Sequence, residues 1–163
     1  MRELDKGLAI SLGGPQAEEA LSVFRRQVEA WGLAMPPAEP LVLDFGLGDF
    51  ARVGLVECWI ANEVEAGYCG KFLFVFDNQT CPEHAHHTKH ETFFVVKGKV
   101  RMTLNGAARL MYEGDVLTMP PGARHCFTGL GNALLLEVSM PCHVADNQFT
   151  DPTIAAWLGG GTG

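Results

Sequence analysis

The chain has 163 residues, of which 47% are hydrophobic and 19% charged, proportions typical of a single folded domain with a sizeable core. Its formal net charge of -7 argues against nucleic acid and anionic membranes as partners, and no apolar run approaches the length of about 20 residues that a membrane span needs. Five cysteines without paired spacing, and a start unlike a secretion signal, predict a location in the reducing cytoplasm.

The first forty residues are predicted to form an arm and one helix. Residues 1–14 are mixed in composition and end in two glycines, so we expect a loosely held arm there. A helix is predicted from Pro15 to about residue 31, because apolar residues recur at helical spacing and proline suits a first turn. Gly32 and the prolines that follow end it. We expect this helix to pack on the outside of the domain or across a dimer interface.

From Leu41 onward the sequence predicts antiparallel β-structure. Runs of β-branched, aromatic and aliphatic residues recur, and Lys97-Gly98-Lys99 and Asn105-Gly106 indicate tight hairpin turns. The predicted strands are residues 52–60, 71–76, 91–97, 99–104, 107–111, 115–119 and 133–139. Strands this short and closely spaced predict an all-β jelly roll or barrel over residues 41–158. The glycine-rich residues 159–163 are expected to form a flexible tail.

Two stretches carry candidate metal ligands. In the first, His84-Ala-His86-His87-Thr88-Lys89-His90-Glu91, a carboxylate opens an apolar strand. A buried carboxylate is costly unless a positive group lies beside it, so Glu91 indicates a metal site shared with His84 and His86. The alternative for this stretch alone is a histidine-rich surface loop. The second stretch begins at Gly114 and ends in a lone histidine, His125, behind a Pro-Pro-Gly turn.

Together the two stretches resemble the cupin superfamily. The first cupin motif is matched by His84, His86, Glu91 and Gly98, and the second by Gly114, Pro120, Gly122 and His125. The sequence departs at Asn78, where the motif has glycine, and at Gly129, where it has asparagine; asparagine can adopt the left-handed backbone that glycine supplies. The expected ligands of one divalent ion are His84, His86, Glu91 and His125. The expected non-ligands are His87, His90 and His143.

A narrower resemblance, to the bacterial D-lyxose ketol-isomerases, covers about residues 41–155. It is carried by Asp44–Gly48, Tyr68–Lys71, Gln79–His86, Lys89–Phe93, Pro120–Phe127, Glu137–Ser139 and Phe149–Pro152. Those enzymes are manganese-dependent cupins, usually dimeric, that interconvert D-lyxose with D-xylulose and often D-mannose with D-fructose. The resemblance therefore implies a metal-dependent aldose–ketose isomerase, a sugar substrate and a homodimer. Manganese is the expected metal, with iron, zinc, cobalt and nickel as alternatives.

The residue chemistry suits such a reaction. Three imidazoles and one carboxylate leave two positions of an octahedral ion open for a sugar carbonyl oxygen and the adjacent hydroxyl oxygen. Acting as a Lewis acid, the ion would acidify the neighbouring C–H, and a base could then move the proton through an enediol. A hydride shift is the alternative route.

Lys71, Lys89 and Glu137 are the catalytic candidates. Lys71 and Glu137 stand in otherwise apolar strands, Lys89 lies two residues before Glu91, and the resemblance places all three in the active pocket. A nearby cation should lower the pKa of a lysine toward base function. The alternative for the lysines is a solvated strand end or loop. For Glu137 it is an outward-facing residue or a partner of Arg124.

Two other functions fit the same motifs. Iron dioxygenases and lyases among the cupins share the four ligands, and turnover of sugars under anaerobic conditions with manganese would separate them from an isomerase. A non-catalytic sugar-binding or sensor cupin would bind sugar without turnover, and Lys71, Lys89 and Glu137 would then be dispensable.

Overall fold

Two antiparallel β-sheets face each other in the computed structural model of the protein, which describes residues 3–160 apart from the side chains of residues 155, 157, 159 and 160. The helices are α1 (Glu3–Ala9), α2 (Gly14–Ala30) and α3 (Pro152–Gly160), with a 3₁₀ turn at Val144–Asp146. The strands are β1 (Leu41–Leu43), β2 (Leu55–Glu63), β3 (Tyr68–Val75), β4 (Thr80–His86), β5 (Glu91–Lys97), β6 (Lys99–Leu104), β7 (Ala107–Tyr112), β8 (Val116–Met119), β9 (His125–Gly129), β10 (Ala133–Ser139) and β11 (Asn147–Phe149).

The two sheets form the jelly roll that the sequence predicts. One sheet has the strand order β1-β2-β3-β10-β5-β8 and the other the order β11-β4-β9-β6-β7. Their inner faces share one core, built from residues such as Leu73, Phe93, Val95, Met102 and Phe127. Successive side chains of a strand point to opposite faces, so alternate residues of each strand enter this interior.

Helix α2 packs on the outer face of the six-stranded sheet. Phe24 and Val28 are buried there against Phe74 and Leu134, and the rings of Phe24 and Phe74 meet edge to face with centroids 5.2 Å apart. Burying side chains of this size stabilises the fold by about 1.5–3 kcal/mol each. Of the two positions expected for the predicted helix, the structure shows the outside of the domain, with bounds within one or two residues of the prediction.

The N-terminal segment differs from the loose arm expected for residues 1–14. Helix α1 is tied to distant parts of the chain: the carboxylate of Glu3 accepts a hydrogen bond from the backbone N–H of Val144 at 2.8 Å, and Gly7 lies against Leu41. The hydroxyl of Ser11 donates to the carbonyl oxygen of Val42 at 3.1 Å. These contacts join residues far apart in sequence, so no local pattern could indicate them.

Strands β1, β4, β9 and β11 and helix α3 were not among the predicted elements. Strand β4 is rich in histidine and contains proline, and β11 has three residues, so neither has the apolar composition on which strand prediction depends. Of the expected flexible tail, Gly159 and Gly160 end α3, and residues 161–163 lie outside the described residues.

The predicted turns have the backbone that their residues favour. Asn105 and Gly106 have φ of 48° and 81°, as a tight hairpin between β6 and β7 requires. Asn78 has φ of 60°, which confirms that it adopts the left-handed conformation where the cupin motif has glycine.

Gly129, the second departure from the motif, occupies a position without room for a side chain. A Cβ atom there would lie 2.4 Å from the carbonyl oxygen of Phe76 and 2.8 Å from that of Gly131. We expect Gly129→Ala to lower the free energy of unfolding by about 1–3 kcal/mol, because backbone must shift to admit the methyl group. Urea denaturation measures this. Gly70→Ala is the control, because the nearest atom lies 3.8 Å from its Cβ position, an ordinary contact distance; an equal loss in both variants would contradict the prediction.

Candidate active site

Three buried histidines converge between two neighbouring strands. His84 and His86 are alternate residues of β4, so both enter the interior, and His125 begins β9 directly opposite His84. The candidate ligand atoms of the three imidazoles all lie within 4.8 Å of one another. Three neutral nitrogen donors at this separation can hold one divalent ion.

Glu91 joins the histidines from the other sheet. It is the first residue of β5, and its Oε1 lies 3.0 Å from Nε2 of His125 and 3.3 Å from Nε2 of His86. The structure thus brings together all four residues that the motifs nominate as ligands. His87, His90 and His143 are exposed and lie outside the three-histidine cluster.

The outward ring nitrogens fix the orientation of two of the imidazoles. Nδ1 of His84 lies 2.8 Å from the carbonyl oxygen of Pro82, and Nδ1 of His125 lies 3.1 Å from that of Ala123. A carbonyl can only accept, so each Nδ1 carries the proton and each Nε2 keeps its lone pair for a ligand. Orienting carbonyls of this kind accompany histidine ligands of metals in general.

A divalent ion fits the unpaired atoms at the centre of this cluster. Nε2 of His86, Nε2 of His125 and Oε1 of Glu91 are buried and have no hydrogen-bond partner in the described part of the chain. Each unpaired buried polar atom costs about 1–3 kcal/mol. One cation bound by all of them would remove that cost, which is why the donor set fits a metal.

The ionisation states also suit a cation. Burial lowers the pKa of His84 well below its usual value, with help from His125 and His86, and burial likewise lowers the pKa of His86. Burial alone would raise the pKa of Glu91, but His125, His86 and Lys89 outweigh it and hold that pKa far below its ordinary value. His84 and His86 are therefore neutral imidazoles and Glu91 is a charged carboxylate, the forms that bind metals.

The three catalytic candidates form a buried array of charges beside this centre. Glu137 of β10 pairs directly with Lys71 of β3, and Nζ of Lys71 lies 3.5 Å from Oε2 of Glu137. Nζ of Lys89 donates to Oε1 of Glu137 at 2.8 Å and lies 2.9 Å from Oε2 of Glu91. Ser139 Oγ also donates to Oε1 of Glu137, at 2.9 Å. The alternatives of a solvated loop or an outward-facing residue do not hold, because all three candidates are buried.

Glu57 completes the array and was not among the predicted site residues. It lies on β2, where its Oε2 accepts a hydrogen bond from Lys71 Nζ at 2.9 Å and its Oε1 accepts one from the indole N–H of Trp59. The signal that drew attention to Glu137, a carboxylate inside an apolar strand, is equally present in Leu55–Ile60 and could have revealed it. Arg124, the alternative partner considered for Glu137, donates instead to Thr150.

The carboxylates around the two lysines act against the lower pKa that the sequence argument expects from a nearby cation. Burial by itself would lower the pKa of Lys71, but Cys142, Glu137 and Glu57 outweigh it and raise that pKa well above its usual value. The pKa of Lys89 is likewise raised, because Glu137 and Glu91 outweigh burial and Lys71. Within the protein both lysines are therefore ammonium groups and hydrogen-bond donors rather than bases. Burial would raise the pKa of Glu137, but Lys71 and Lys89 lower it, so Glu137 is a charged carboxylate.

One cleft inside the jelly roll, which we call the cleft, is lined by part of the candidate metal centre and of the charged array, namely His84, His86, Glu57, Lys71, Lys89 and Glu137. Aromatic rings of Phe93, Phe127 and Phe149 form part of its wall, and the ring of Phe149 lies 5.1 Å from that of His84. Gly7 of helix α1 and Ile10 just after it border the cleft, as do Cys142 and Val144 after β10 and Asn147 at the start of β11. Among the described residues, none of the helices is both long and apolar enough to cross a membrane.

Comparison with known proteins agrees with these features. The cupin domain family matches residues 73–139 and the D-lyxose isomerase family matches residues 41–104. The chain is 30% identical to the D-lyxose ketol-isomerase of Cohnella laeviribosi over 86% of this chain and 93% of that protein. This chain belongs to the D-lyxose isomerase family. It is accordingly an enzyme of the ketol-isomerase class.

Two further relatives extend the comparison. The D-lyxose/D-mannose isomerase of Thermosediminibacter oceani is 32% identical over 69% of this chain and 77% of that protein. The L-ribose isomerase of Cellulomonas parahominis superposes with a TM-score of 0.77 over 92% of this chain and 97% of that chain, at 16% identity. At so low an identity the superposition shows a shared fold and no more.

Metal content tests the four-residue centre directly. We expect the protein to bind about one divalent ion per chain, and His125→Ala to lose it, because one of three converging imidazoles is removed. Elemental analysis after dialysis measures the ratio of metal to protein. His90→Gln is the control and should keep the wild-type ratio. Metal lost from His90→Gln, or retained by His125→Ala, would mean that other residues hold the ion.

Proposed function

We propose that the protein is a metal-dependent aldose–ketose isomerase that interconverts D-lyxose with D-xylulose and also accepts D-mannose and D-fructose. The observation that carries this proposal is the position of Glu137, a charged carboxylate flanked by two ammonium groups, in the same cleft as the candidate metal ligands His84 and His86. The names of the relatives from Cohnella laeviribosi and Thermosediminibacter oceani support the choice of sugars.

Glu137 is proposed as the group that moves the proton. Its Oε1 is occupied by hydrogen bonds from Lys89 and Ser139. Its Oε2 receives no hydrogen bond from the described residues, although Lys71 Nζ lies 3.5 Å away. Oε2 is therefore the oxygen free to take the proton from C2 of the aldose and, after exchange with solvent, to deliver a proton to C1, while the hydroxyl proton passes from O2 to O1, so that aldose and ketose balance through an enediol.

Lys71 and Lys89 are proposed as donors that act on oxygen atoms. Each ammonium has three N–H groups, and the described contacts of each lysine with carboxylates use at most two of them. The rest can bind sugar hydroxyls and stabilise charge that develops on oxygen during proton transfer. Lys71, Lys89 and Glu137 are buried, and burial strengthens these interactions.

The proposed cofactor is Mn²⁺, held by His84, His86, Glu91 and His125. A bound divalent ion would polarise the sugar carbonyl and so acidify the adjacent C–H. Mixed nitrogen and oxygen ligands also suit iron, zinc, cobalt and nickel, so the choice of manganese rests on the family resemblance.

Turnover in deuterium oxide tests the proposed reaction. We expect the manganese-loaded protein to convert D-lyxose to D-xylulose and to incorporate solvent deuterium at the carbon that receives the proton. Glu137→Gln should keep its metal and lower kcat by about 10²–10⁴-fold, because the amide cannot accept the proton. Lys89→Met should lower kcat as well. Chromatography and mass spectrometry of the sugars give both readouts.

A matched control is Glu113→Gln. Glu113 is an exposed strand-end carboxylate paired with Lys97 at 3.3 Å, far from the cleft, and the variant should retain wild-type kcat. If the product contains no deuterium, a hydride shift replaces the enediol route as the proposed mechanism. Wild-type protein that turns over no aldose with manganese would defeat the isomerase proposal, and the tests would then move to oxygen-dependent or lyase chemistry. Sugar binding without turnover would indicate a sensor.

We also propose that the protein is a homodimer that joins through the outer face of the six-stranded sheet beside α2. Apart from Lys97, which pairs with Leu134 at the end of β5, the outward positions of β3, β10, β5 and β8 beside α2 are uncharged. They are Tyr68, Gly70, Phe72, Leu136, Val138, Thr92, Phe94, Val96, Val116 and Thr118. Tyr68, Phe94, Val116 and Val138 are exposed. Because the chain has a net charge of -7, two copies of it repel each other in general. A face of uncharged residues avoids repulsion between like charges at the contact itself.

Light scattering tests this interface. We expect a mass of twice the chain mass of 17.7 kDa for the wild type and of 17.7 kDa for Phe94→Glu, because two like charges would face each other across the axis. Leu110→Glu is the control: Leu110 is 50% exposed, but it lies on β7 of the other sheet. Dissociation by both variants, or by neither, would contradict the assigned face.

A cytoplasmic location is proposed from the cysteines. All five are free thiols, and four of them are buried. Burial raises the pKa of Cys58 to about 12 and that of Cys142 to about 11, so both remain protonated at neutral pH. Free, unreactive thiols suit a reducing compartment.

A further inference from the structure

Glu57 is the buried carboxylate of the cleft to which the proposed reaction gives no role. It is 7% exposed, lies on the inner side of β2 and lines the cleft with Trp59 and Lys71. A carboxylate in such a place is costly unless its oxygen atoms have partners. Both have one: Trp59 donates to Oε1 and Lys71 donates to Oε2.

Lys71 stands between two carboxylates and lies closer to Glu57. Its Nζ is 2.9 Å from Oε2 of Glu57, a hydrogen-bonding distance, and 3.5 Å from Oε2 of Glu137. Both carboxylates attract the ammonium, so its position reflects the balance between them. Trp59 helps to keep Lys71 beside Glu57 in two ways. Its indole N–H donates to the other oxygen of Glu57 and so orients the carboxylate, and its ring lies 6.0 Å from Lys71 Nζ.

The position of Lys71 decides which oxygen of Glu137 is free. Oε1 of Glu137 is already bonded by Lys89 and Ser139. If Lys71 moved to hydrogen-bonding distance of Oε2, both oxygens of Glu137 would be occupied by donors. A carboxylate bonded in this way is a poor acceptor for a proton from carbon.

Building on the isomerase reaction proposed above, we infer that Glu57 is a positioning residue: it holds Lys71 away from Oε2 of Glu137 and so keeps that oxygen open to the substrate proton. Glu57 acts through Lys71 and does not touch the reacting carbons. This assigns different tasks to the two carboxylates that flank Lys71. Glu137 moves the proton, and Glu57 keeps the ammonium aside.

Glu57→Gln tests the inference, because the amide keeps the size of the side chain and an acceptor for Trp59 but loses the charge. We expect kcat to fall by about 10–100-fold with KM within about threefold of wild type and metal content unchanged. A crystal structure of the variant should show Lys71 Nζ within hydrogen-bonding distance of Oε2 of Glu137, about 2.7–3.0 Å, in place of 3.5 Å. An unchanged Lys71 position would overturn the inference whatever the activity.

A double-mutant cycle separates positioning from a general structural role. If Glu57 acts only through Lys71, Glu57→Gln should have no further effect on kcat once Lys71→Met is present, so the double variant and Lys71→Met should have equal kcat. The double variant should also unfold at a higher temperature than Lys71→Met, because it no longer buries Glu57 without its partner. A further fall in kcat in the double variant would overturn the inference.

The outcomes distinguish this inference from the isomerase proposal. Wild-type turnover combined with an unaffected kcat in Glu57→Gln overturns the role of Glu57 alone, whereas absence of wild-type turnover overturns the isomerase proposal. If Glu57→Gln does not fold, the kcat of the double variant can still be compared with that of Lys71→Met, because neither variant contains the Lys71 ammonium group. Equal values support the role of Glu57, and a lower kcat in the double variant overturns it. Glu113→Gln is again the control and should match wild type in kcat and KM.

Discussion

The interior of this jelly roll has to accommodate a line of alternating charges. Glu57, Lys71, Glu137, Lys89 and Glu91 follow one another at 2.8–3.5 Å, and each is less than 10% exposed. Two unit charges 4 Å apart interact by about 4 kcal/mol at an effective dielectric constant near 20, so none of these groups can be removed without exposing the charge of its neighbour. Three carboxylates and two ammonium groups leave one negative charge, at the end of the line where the histidines converge. A cation is the natural partner for that end.

Strand register sets this line of charges in place. Glu137 of β10 faces Lys71 of β3 on one side and Phe93 of β5 on the other. Because side chains alternate between faces, a slip of one residue in β10 would send Glu137 outward and Val138 inward. Leu134 and Leu135 are both buried, one on each face of the sheet, so the apolar pattern of β10 does not by itself oppose that slip. The ion pairs of Glu137 with Lys71 and Lys89 favour the observed register, because the slip would break both.

The lysines illustrate how burial and charge compete. Desolvation disfavours an ammonium group, and in an apolar pocket it would lower the pKa of a lysine toward that of a base. Here each lysine has at least two carboxylates within 3.5 Å, and the pKa moves in the opposite direction. The lysines are thereby hydrogen-bond donors, and in the proposed reaction the role of base falls to Glu137. Neighbouring charge, more than burial, divides the roles within this array.

The sequence by itself determined the jelly roll, helix α2 and the four residues that converge on the metal centre. Periodicity and turn residues can be read from short stretches of sequence without knowledge of the fold. The spacing of His84, His86, Glu91 and His125 can likewise be compared with the cupin motifs from the sequence alone. It also nominated Lys71, Lys89 and Glu137, because charged residues near apolar strands are conspicuous. Only the tertiary structure decided how these residues pair: that Glu57 belongs with Lys71, that Oε1 of Glu137 is occupied, and that α1 borders the cleft. Those facts depend on contacts between residues far apart in the chain, and no local pattern encodes the register and folding that bring them together.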